Sequence, residues 1–213
     1  MINRTIYLIR HGTTEWMEQG VVHGSSESPL SEFGQWEAQQ TALALANCDI
    51  AHMYSSPQSR ALQTAMIIAS QLPDVAIKQL DGLREMDFGK MEGKRDFFKK
   101  SKRNPLLLVL VSPIWFMCLK STGEKPTDMQ VRIKTAWERI LEDEHPGNIA
   151  VVAHSLSINH ILALIPFGTS EKKRKRYLLS PCSISTVEVK GGQVVLKAVN
   201  DTAHLEKEFL HEH

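Results

Sequence analysis

The chain has 213 residues, of which 42% are hydrophobic and 23% charged, a composition typical of a globular α/β protein with a sizeable core. Intrinsic disorder would need low hydrophobicity together with a high net charge, whereas the formal net charge here is only +1. Because so small a charge creates no overall field toward nucleic acid or a membrane surface, we expect neither as a partner.

The cysteines and the first residues of the chain indicate the cellular compartment of the protein. Cys48, Cys118 and Cys182 are far apart, odd in number and without a C-x-x-C pair, so neither a disulfide framework nor a zinc cluster is predicted. The chain enters a strand-like run at once, which leaves no room for a signal peptide. No stretch reaches the roughly 18 apolar residues of a membrane span. We therefore expect a cytoplasmic protein with free thiols and no membrane span.

Strands and helices alternate along the chain. In order, the predicted elements are a strand over Thr5–Arg10, a helix from Ser31 to about Ala46, a strand over Ala51–Ser55, a helix from Ser59 to about Gln71, a helix opened by a capping box of Thr127 and Gln130, a strand over Asn148–Ala153, and a hairpin of Ser183–Lys190 and Gln193–Val199 around Gly191-Gly192. This order predicts an α/β fold, a three-layer α/β/α sandwich around a mostly parallel central sheet with an antiparallel edge. With no repeat or linker, residues 1–213 are predicted to form one domain.

Polar side chains directly follow several of the predicted strands. His11 comes after the first strand, Ser56 and Arg60 come after another, and His154 follows the strand Asn148–Ala153. In open α/β sheets, ligands bind beyond the carboxyl ends of the strands. The sequence therefore predicts that these groups meet at one edge of the sheet.

The residue types at this edge suit an anionic ligand. A histidine that ends a buried strand is often a satisfied core residue, but Arg10 beside His11 offers a planar fork for phosphate oxygens, and Gly12 permits a close backbone approach. Arg60 lies in the first turn of a helix, where a cation opposes the helix dipole unless an anion lies between. The alternative for Arg60 is a solvated side chain.

A carboxylate that could donate a proton lies in the segment 83–93. Glu85 is the candidate, because an apolar setting raises the pKa of a carboxyl group toward neutrality. Asp87 is its rival within the same segment.

Four segments together resemble the histidine phosphatase superfamily, the phosphoglycerate-mutase-like clan, and within it the small phosphatases. Residues 10–16 resemble the signature R-H-G-x-T-x-W, residues 28–34 resemble P-L-T-x-x-G, residues 55–65 resemble S-S-P-x-x-R-A-x-Q-T-A, and residues 83–93 resemble L-x-E-x-x-x-G-x-x-E-G. These matches run in order over nearly the whole chain, and only about residues 94–125 match nothing in the family.

The resemblance implies a role for each residue of the constellation. His11 would be the nucleophile that forms a phosphohistidine. Arg10, Arg60 and a cationic His154 would neutralise the charge on the phosphoryl oxygens, which a metal does elsewhere. Glu85 would protonate the leaving group and later accept a proton from water. We therefore expect neither a metal nor another cofactor.

Four further positions are secondary candidates or departures from the family pattern. His23 and Gly24 fall where many relatives contact the substrate, although His23 could equally be a surface histidine. Ser155 stands where many members have Gly, keeps the backbone N–H and narrows the site. Met17 stands where the family often has Asn, so one phosphate contact is predicted to be lost or replaced.

The predicted activity is hydrolysis of a small phosphorylated metabolite. Residues 88–94 look more like the small phosphatases than the mutases, and the longer insertions common in mutases are missing. The alternatives are a phosphoglycerate mutase-type phosphotransferase and a phosphoprotein-binding or phosphohistidine phosphatase module. Sugar phosphates, nucleotide-like phosphates, ribazole phosphate and protein phosphohistidine all stay open as substrates.

Two segments have no assigned role. The insert 94–125 contains the apolar stretch 106–119, which is a packed cover, a lid over the leaving-group pocket, or a dimer or membrane-facing patch. The basic run 172–176 is either a solvated surface or a site that steers anionic substrates or partners. A homodimer is left open.

Overall fold

The central sheet carries the features that position the site. The computed structural model describes residues 2–95, 123–165 and 176–205. Within them lie six strands, β1 (Arg4–Arg10), β2 (Ile50–Ser55), β3 (Ala76–Gln79), β4 (Asn148–Ala153), β5 (Ile184–Lys190) and β6 (Gln193–Asp201). They form one sheet in the order β3-β2-β4-β1-β5-β6. The first four strands in this order are parallel, and β5 and β6 form the antiparallel edge, so the predicted fold class is confirmed.

Helices cover both faces of the sheet. They are α1 (Glu15–Gln19), α2 (Glu32–Leu45), α3 (Ser59–Ala69), α4 (Pro126–Leu141) and α5 (Ser155–Leu164). In β4, Ile149 and Val151 belong to the apolar cluster that contains α4 and α5, whereas Ala150 and Val152 belong to the cluster that contains α2 and α3. Side chains alternate between the faces of a strand, so a strand covered on both sides is apolar on both, as β4 is from Ile149 to Ala153.

The helix starts test the sequence interpretation. Ser31 caps α2 as predicted, and its hydroxyl accepts a hydrogen bond from the Gly34 amide at 3.2 Å. The capping box of Thr127 and Gln130 is wrong, because α4 begins at Pro126, with Lys125 as its N-cap. Proline suits the first helical position, since its fixed φ is helical and its missing N–H would have had no partner there. The capping pattern therefore fell inside the first turn.

Several predictions lie outside the described residues. They include the apolar stretch 106–119, nearly all of the insert 94–125, and residues 172–175 of the basic run; Arg176, the last residue of that run, is exposed. Among the helices of the described residues, none has the length and apolar character to cross a membrane.

Candidate active site

The ends of three neighbouring strands bring the predicted site residues together. β1 and β4 are in parallel register with Arg10 opposite Ala153, and the His11 amide continues the ladder to the Ala153 carbonyl at 3.0 Å. On the other side of β4, the Ser56 amide donates to the Val152 carbonyl at 2.9 Å. His11 and His154 therefore leave the sheet side by side, and their ring centroids are 5.0 Å apart.

The loop after His11 is held by two close contacts. The Gly12 amide donates to the Thr64 hydroxyl of α3 at 3.1 Å. A side chain at Gly12 would place its Cβ 2.5 Å from the Gly34 carbonyl oxygen at the start of α2. Glycine is required here because two backbone segments touch, and their contact fixes where β1 delivers His11.

The orientation of the His11 imidazole follows from its hydrogen bond. Nδ1 lies 2.8 Å from the Gly12 carbonyl oxygen, which can only accept, so Nδ1 carries the proton and Nε2 keeps the lone pair. Burial and then the positive charges of Arg60 and Arg10 lower the pKa of His11 well below its ordinary value. The ring is therefore neutral at neutral pH, with a nucleophilic Nε2.

His154 is buried and holds the second imidazole of the site. Its Nε2 lies 2.8 Å from the Ser56 hydroxyl oxygen, which also accepts from the Gln58 amide at 3.3 Å. Ser56 Oγ accepts from the Gln58 amide, and we assign its own proton to the bond with Nε2, an arrangement in which the ring proton of His154 is on Nδ1. Burial and the charge of Arg60 lower the pKa of His154 well below its ordinary value. The expectation of a cationic His154 is therefore wrong; its neutral ring offers an N–H donor.

The two arginines supply the positive charge of the site. Arg60 is fully buried in the first turn of α3, so the solvated alternative is excluded, and it donates from Nη2 to the Gly24 carbonyl at 2.6 Å and from Nη1 to the Ser26 carbonyl at 2.9 Å. Arg10 donates from Nη1 to the Leu179 carbonyl at 2.5 Å. Burial lowers the pKa of Arg60 to about 10, so the guanidinium stays charged at neutral pH.

Buried nitrogen atoms without a hydrogen-bond partner concentrate at this site. In the described part of the chain there are four, and three of them are Arg10 Nε, Arg60 Nε and His154 Nδ1. Buried donors are normally paired, because an unpaired one loses its hydrogen bond to water without gaining one within the protein. Two cations and a neutral N–H donor with unused capacity make an environment suited to an anion with several oxygen atoms.

Glu85 is the carboxylate of the site. It is 8% exposed, and its two oxygens accept from the Met86 amide at 2.9 Å and the Leu156 amide, in the first turn of α5, at 3.1 Å. Burial raises the pKa of Glu85 despite these hydrogen bonds and the two arginines. The Asp87 carboxylate instead accepts from the Gly89 amide at 2.6 Å. Glu85, rather than Asp87, has the buried surroundings of a proton donor.

The secondary candidates lie around this centre in different ways. The His23 ring is 6.2 Å from that of His11, and burial lowers its pKa to about 4. The Gly24 carbonyl is occupied by Arg60, and Ser155 is the first residue of α5. Met17 Sδ accepts a weak bond from Arg10 Nη2 at 3.7 Å, so a thioether meets the arginine where the family pattern has an amide.

A metal site would need a group of ligands that this part of the chain does not offer. Across residues 2–95, 123–165 and 176–205, no three or more His, Cys, Asp or Glu side chains are arranged to hold a metal ion. The charge that the arrangement can supply to a phosphoryl group comes from Arg10 and Arg60.

Two buried polar residues beside the site were missed in the sequence. Glu37 of α2 accepts from the Thr13 amide at 2.7 Å, and the Gln58 side chain bonds to the Glu85 backbone at 2.6 Å. Glu37 shares the inward face of its helix with Ala38 and Thr41, so helical periodicity could have identified it. Gln58 precedes its helix, and no periodic signal identifies it.

The chain is similar to known proteins over nearly its whole length. The model of the histidine phosphatase superfamily (branch 1) matches residues 6–202. Two relatives are a putative phosphoserine phosphatase 2 of Hydrogenobacter thermophilus (26% identical, over 94% of this chain and 97% of that protein) and a probable phosphoglycerate mutase GpmB of Yersinia pestis (28%, over 97% of each). The solved structure of Bacillus stearothermophilus YhfR superimposes with a TM-score of 0.77 at 26% identity, over 95% of this chain and 100% of that one.

Proposed function

This chain belongs to the histidine phosphatase superfamily (branch 1), and on that premise we propose that it is a metal-independent phosphomonoesterase acting on a small phosphorylated metabolite. Superfamily membership confirms the resemblance and the phosphatase class of enzyme predicted from the sequence. The proposal goes further, to the roles of individual residues and to water as the final acceptor. The observation that carries it is the His11 Nδ1–H bond to Gly12, which leaves Nε2 as a buried nucleophile beside two guanidinium groups.

The proposed first step transfers the phosphoryl group to His11. Nε2 attacks phosphorus in line, the P–O bond to the leaving group breaks, and the Glu85 carboxyl gives its proton to the departing oxygen. Arg10 and Arg60 neutralise charge on the phosphoryl oxygens, and His154 Nδ1–H donates to one of them. The raised pKa of Glu85 supports this role, because a protonated carboxyl is needed in this step.

In the second step, water replaces the alcohol. The Glu85 carboxylate accepts a proton from water as the water oxygen attacks the phosphohistidine, which releases phosphate and restores both His11 and Glu85. The pH dependence follows from the two pKa directions. Activity is lost on the acid side as His11 protonates, below its ordinary range, and on the alkaline side as Glu85 ionises, above its ordinary range.

A mutase is the second candidate, because one relative is named as a probable phosphoglycerate mutase. In that reaction the phosphohistidine waits for a second hydroxyl acceptor instead of water. Release of inorganic phosphate separates hydrolysis from transfer. We would measure it for a panel of phosphoserine, phosphoglycerate, sugar phosphates, nucleotides and ribazole phosphate. A phosphoprotein-binding module would release none from any ester, including an aryl phosphate.

The test of the proposal is to trap the adduct. Wild type quenched in alkali during turnover of 4-nitrophenyl phosphate should carry one acid-labile, alkali-stable phosphoryl group, with equal yield in excess EDTA. His11→Ala should carry none, whereas His145→Ala, whose side chain is 68% exposed, should be labelled like wild type. Labelling of His11→Ala would refute the nucleophile, and loss of turnover in EDTA would refute the metal-independent mechanism.

A further inference from the structure

Gln58 is a buried residue that connects the two halves of the site, although the family motif leaves its position open. It directly precedes α3, and its side chain does not cap that helix. The residue is 4% exposed, so each polar atom of its side chain needs a partner within the protein.

The amide of Gln58 finds those partners on two separate backbone segments. Its Oε1 accepts from the Glu85 backbone amide at 2.6 Å. Its Nε2 donates to the Gly24 carbonyl at 2.8 Å and to the Ser25 carbonyl at 3.2 Å. One planar group therefore joins the segment that carries Glu85 to the loop at 24–25.

The same loop is bonded to the phosphoryl-binding side of the site. Arg60, two residues after Gln58, donates to the same Gly24 carbonyl and to Ser26. On the other side, the amide of Met86, adjacent in the chain to Glu85, donates to the Glu85 carboxylate at 2.9 Å. A displacement of the Glu85 backbone would thus move its carboxyl group relative to Arg60.

We propose that Gln58 is a positioning residue, which holds the Glu85 carboxyl at the place where it can protonate the leaving oxygen. The inference rests on the proposed function, because it presumes that Glu85 is the proton donor. Proton transfer demands hydrogen-bond reach, so a displacement of a few tenths of an ångström at Glu85 lowers the rate of the step that needs the proton. His11 itself is held by β1 and Gly12. A shift of the loop that Gln58 shares with Arg60 would act on both kinds of ester alike, so only the change at Glu85 depends on the leaving group.

Leaving-group dependence tests this separation. A nitrophenolate, with a conjugate pKa of roughly 7, leaves with little help, whereas an alkoxide, with a conjugate pKa of roughly 15, needs the proton. Gln58→Met keeps the length of the side chain and removes all three hydrogen bonds. It should lower kcat/KM for an alkyl phosphate on the order of tenfold more than for 4-nitrophenyl phosphate, since general acid catalysis as a whole supplies about 10²–10⁴-fold.

Gln63 provides the matched control. It lies on the same helix, and its Oε1 likewise accepts from a backbone amide, that of Leu30, at 3.1 Å. Gln63→Met should leave the ratio between the two esters at the wild-type value, whatever it does to overall activity. An equal loss for both esters in Gln58→Met, as in the control, would reduce Gln58 to a structural role and overturn the inference.

A double-mutant cycle shows whether Gln58 acts through Glu85. Once Glu85→Gln has removed the proton donor, adding Gln58→Met should change the ratio no further. A further fall of the ratio in that background would overturn the inference. If Gln58→Met fails to fold, the shorter amide in Gln58→Asn, which cannot reach both segments, should lower the ratio in the same direction, and an unchanged ratio there would equally overturn it.

Failure of the proposed function leaves a different signature. If Glu85→Gln itself keeps the wild-type ratio while His11 is still phosphorylated, the proton donor is another group and the inference about Gln58 is wrong, but the nucleophile stands. If His11→Ala keeps its activity, the proposed function is wrong as well.

Discussion

Two buried polar clusters lie toward opposite ends of the sheet, and they satisfy their charges in different ways. At the carboxyl ends of β1 and β4 the charges are the guanidinium groups of Arg10 and Arg60, and a buried nitrogen atom of each has no hydrogen-bond partner in the described part of the chain. Near the start of the same two strands the central group is the carboxylate of Asp143. We call the second set the Asp143 cluster; its members are the buried side chains of Arg4, His52, Tyr54 and Asp143 and the more exposed ones of Lys78 and His145. Arg4 Nη1 of this cluster also has no hydrogen-bond partner among the described residues, but it lies 4.0 Å from the carboxylate of Asp143.

The Asp143 carboxylate is saturated with donors. Oδ2 accepts from His52 Nε2 at 2.9 Å and from the Tyr54 hydroxyl, and Lys78 Nζ lies 3.5 Å away. Oδ1 accepts from both the amide and Nδ1 of His145 at 2.8 Å. Although burial raises the pKa of Asp143, these bonds hold it below its ordinary value.

The difference separates a site for a ligand from a structural network. Each cluster combines buried arginine, histidine and a carboxyl group, so residue types alone do not distinguish them. In the Asp143 cluster the buried carboxylate accepts hydrogen bonds from protein donors at both oxygens, so its charge is compensated within the folded chain, which stabilises that chain. At the carboxyl ends of β1 and β4, hydrogen-bond donors outnumber acceptors, and the oxygen atoms of a bound phosphoryl group would supply the missing acceptors.

The largest expected effect comes from replacing one arginine of each cluster by lysine and comparing the two variants. Arg60→Lys keeps the charge but cannot bond Gly24 and Ser26 together, and it should lower kcat/KM by about 10²–10³-fold, the range for loss of one oriented donor to the transition state. Arg4→Lys, which loses a 2.7 Å bond to the Asp143 carbonyl, should leave kcat/KM near the wild-type value. A comparable loss of activity in both variants would erase the distinction between the clusters.

The second prediction concerns stability. Asp143→Asn should lower the free energy of unfolding by about 1–3 kcal/mol at pH 7, with kcat/KM retained, since it leaves buried donors imperfectly paired. The folded pKa of Asp143 is depressed, so its stabilising charge is present above the unfolded pKa and is lost as the pH falls below it. Denaturant titrations should therefore show the difference between variant and wild type shrinking below about pH 4. A difference that is constant with pH would contradict the saturated carboxylate.

The smallest expected effect concerns the proton on His154. Ser56→Ala removes the hydroxyl bonded to Nε2 at 2.8 Å, so the ring loses its preference for the Nδ1–H tautomer. Activity should fall on the order of tenfold, which corresponds to about 1.4 kcal/mol. Nitrogen-15 chemical shifts of the imidazole should report Nδ1 protonated in wild type and a mixture in the variant. A wild-type ring protonated only on Nε2 would reverse the assignment of donor and acceptor.

Elements with a clear local signal in the sequence were predictable, including the half-exposed strand β6 after its Gly191-Gly192 turn. The apolar run in β4 and the cap at Ser31 are local signals, and both are confirmed. Three of the strands and helices named above were missed. Helix α1 has only five residues, strand β3 has four residues of mixed exposure, and helix α5 starts directly after His154. The start of α4 was misjudged because Pro126 outweighs a capping pattern one residue later.

At the site, the sequence predicted which residues meet but not the state in which they meet. His11 and His154 were identified from the sequence because each directly follows a predicted strand, and those strands, β1 and β4, lie side by side. The catalytic roles of both residues stay predictions. A neutral His154 was not predictable, because its pKa depends on burial next to Arg60, which a linear motif does not contain. Gln58 was missed since its three bonds join segments that are 27 and more residues away.

The most direct test of the central claim is to identify the phosphorylated nitrogen. If the Gly12 carbonyl holds the proton of His11 on Nδ1, only Nε2 can attack phosphorus. Nuclear magnetic resonance of the alkali-quenched adduct, with phosphorus coupled to the imidazole nitrogens, should show a single phosphohistidine substituted at Nε2 of His11. Phosphate on Nδ1 of His11, or on any other residue, would contradict the account.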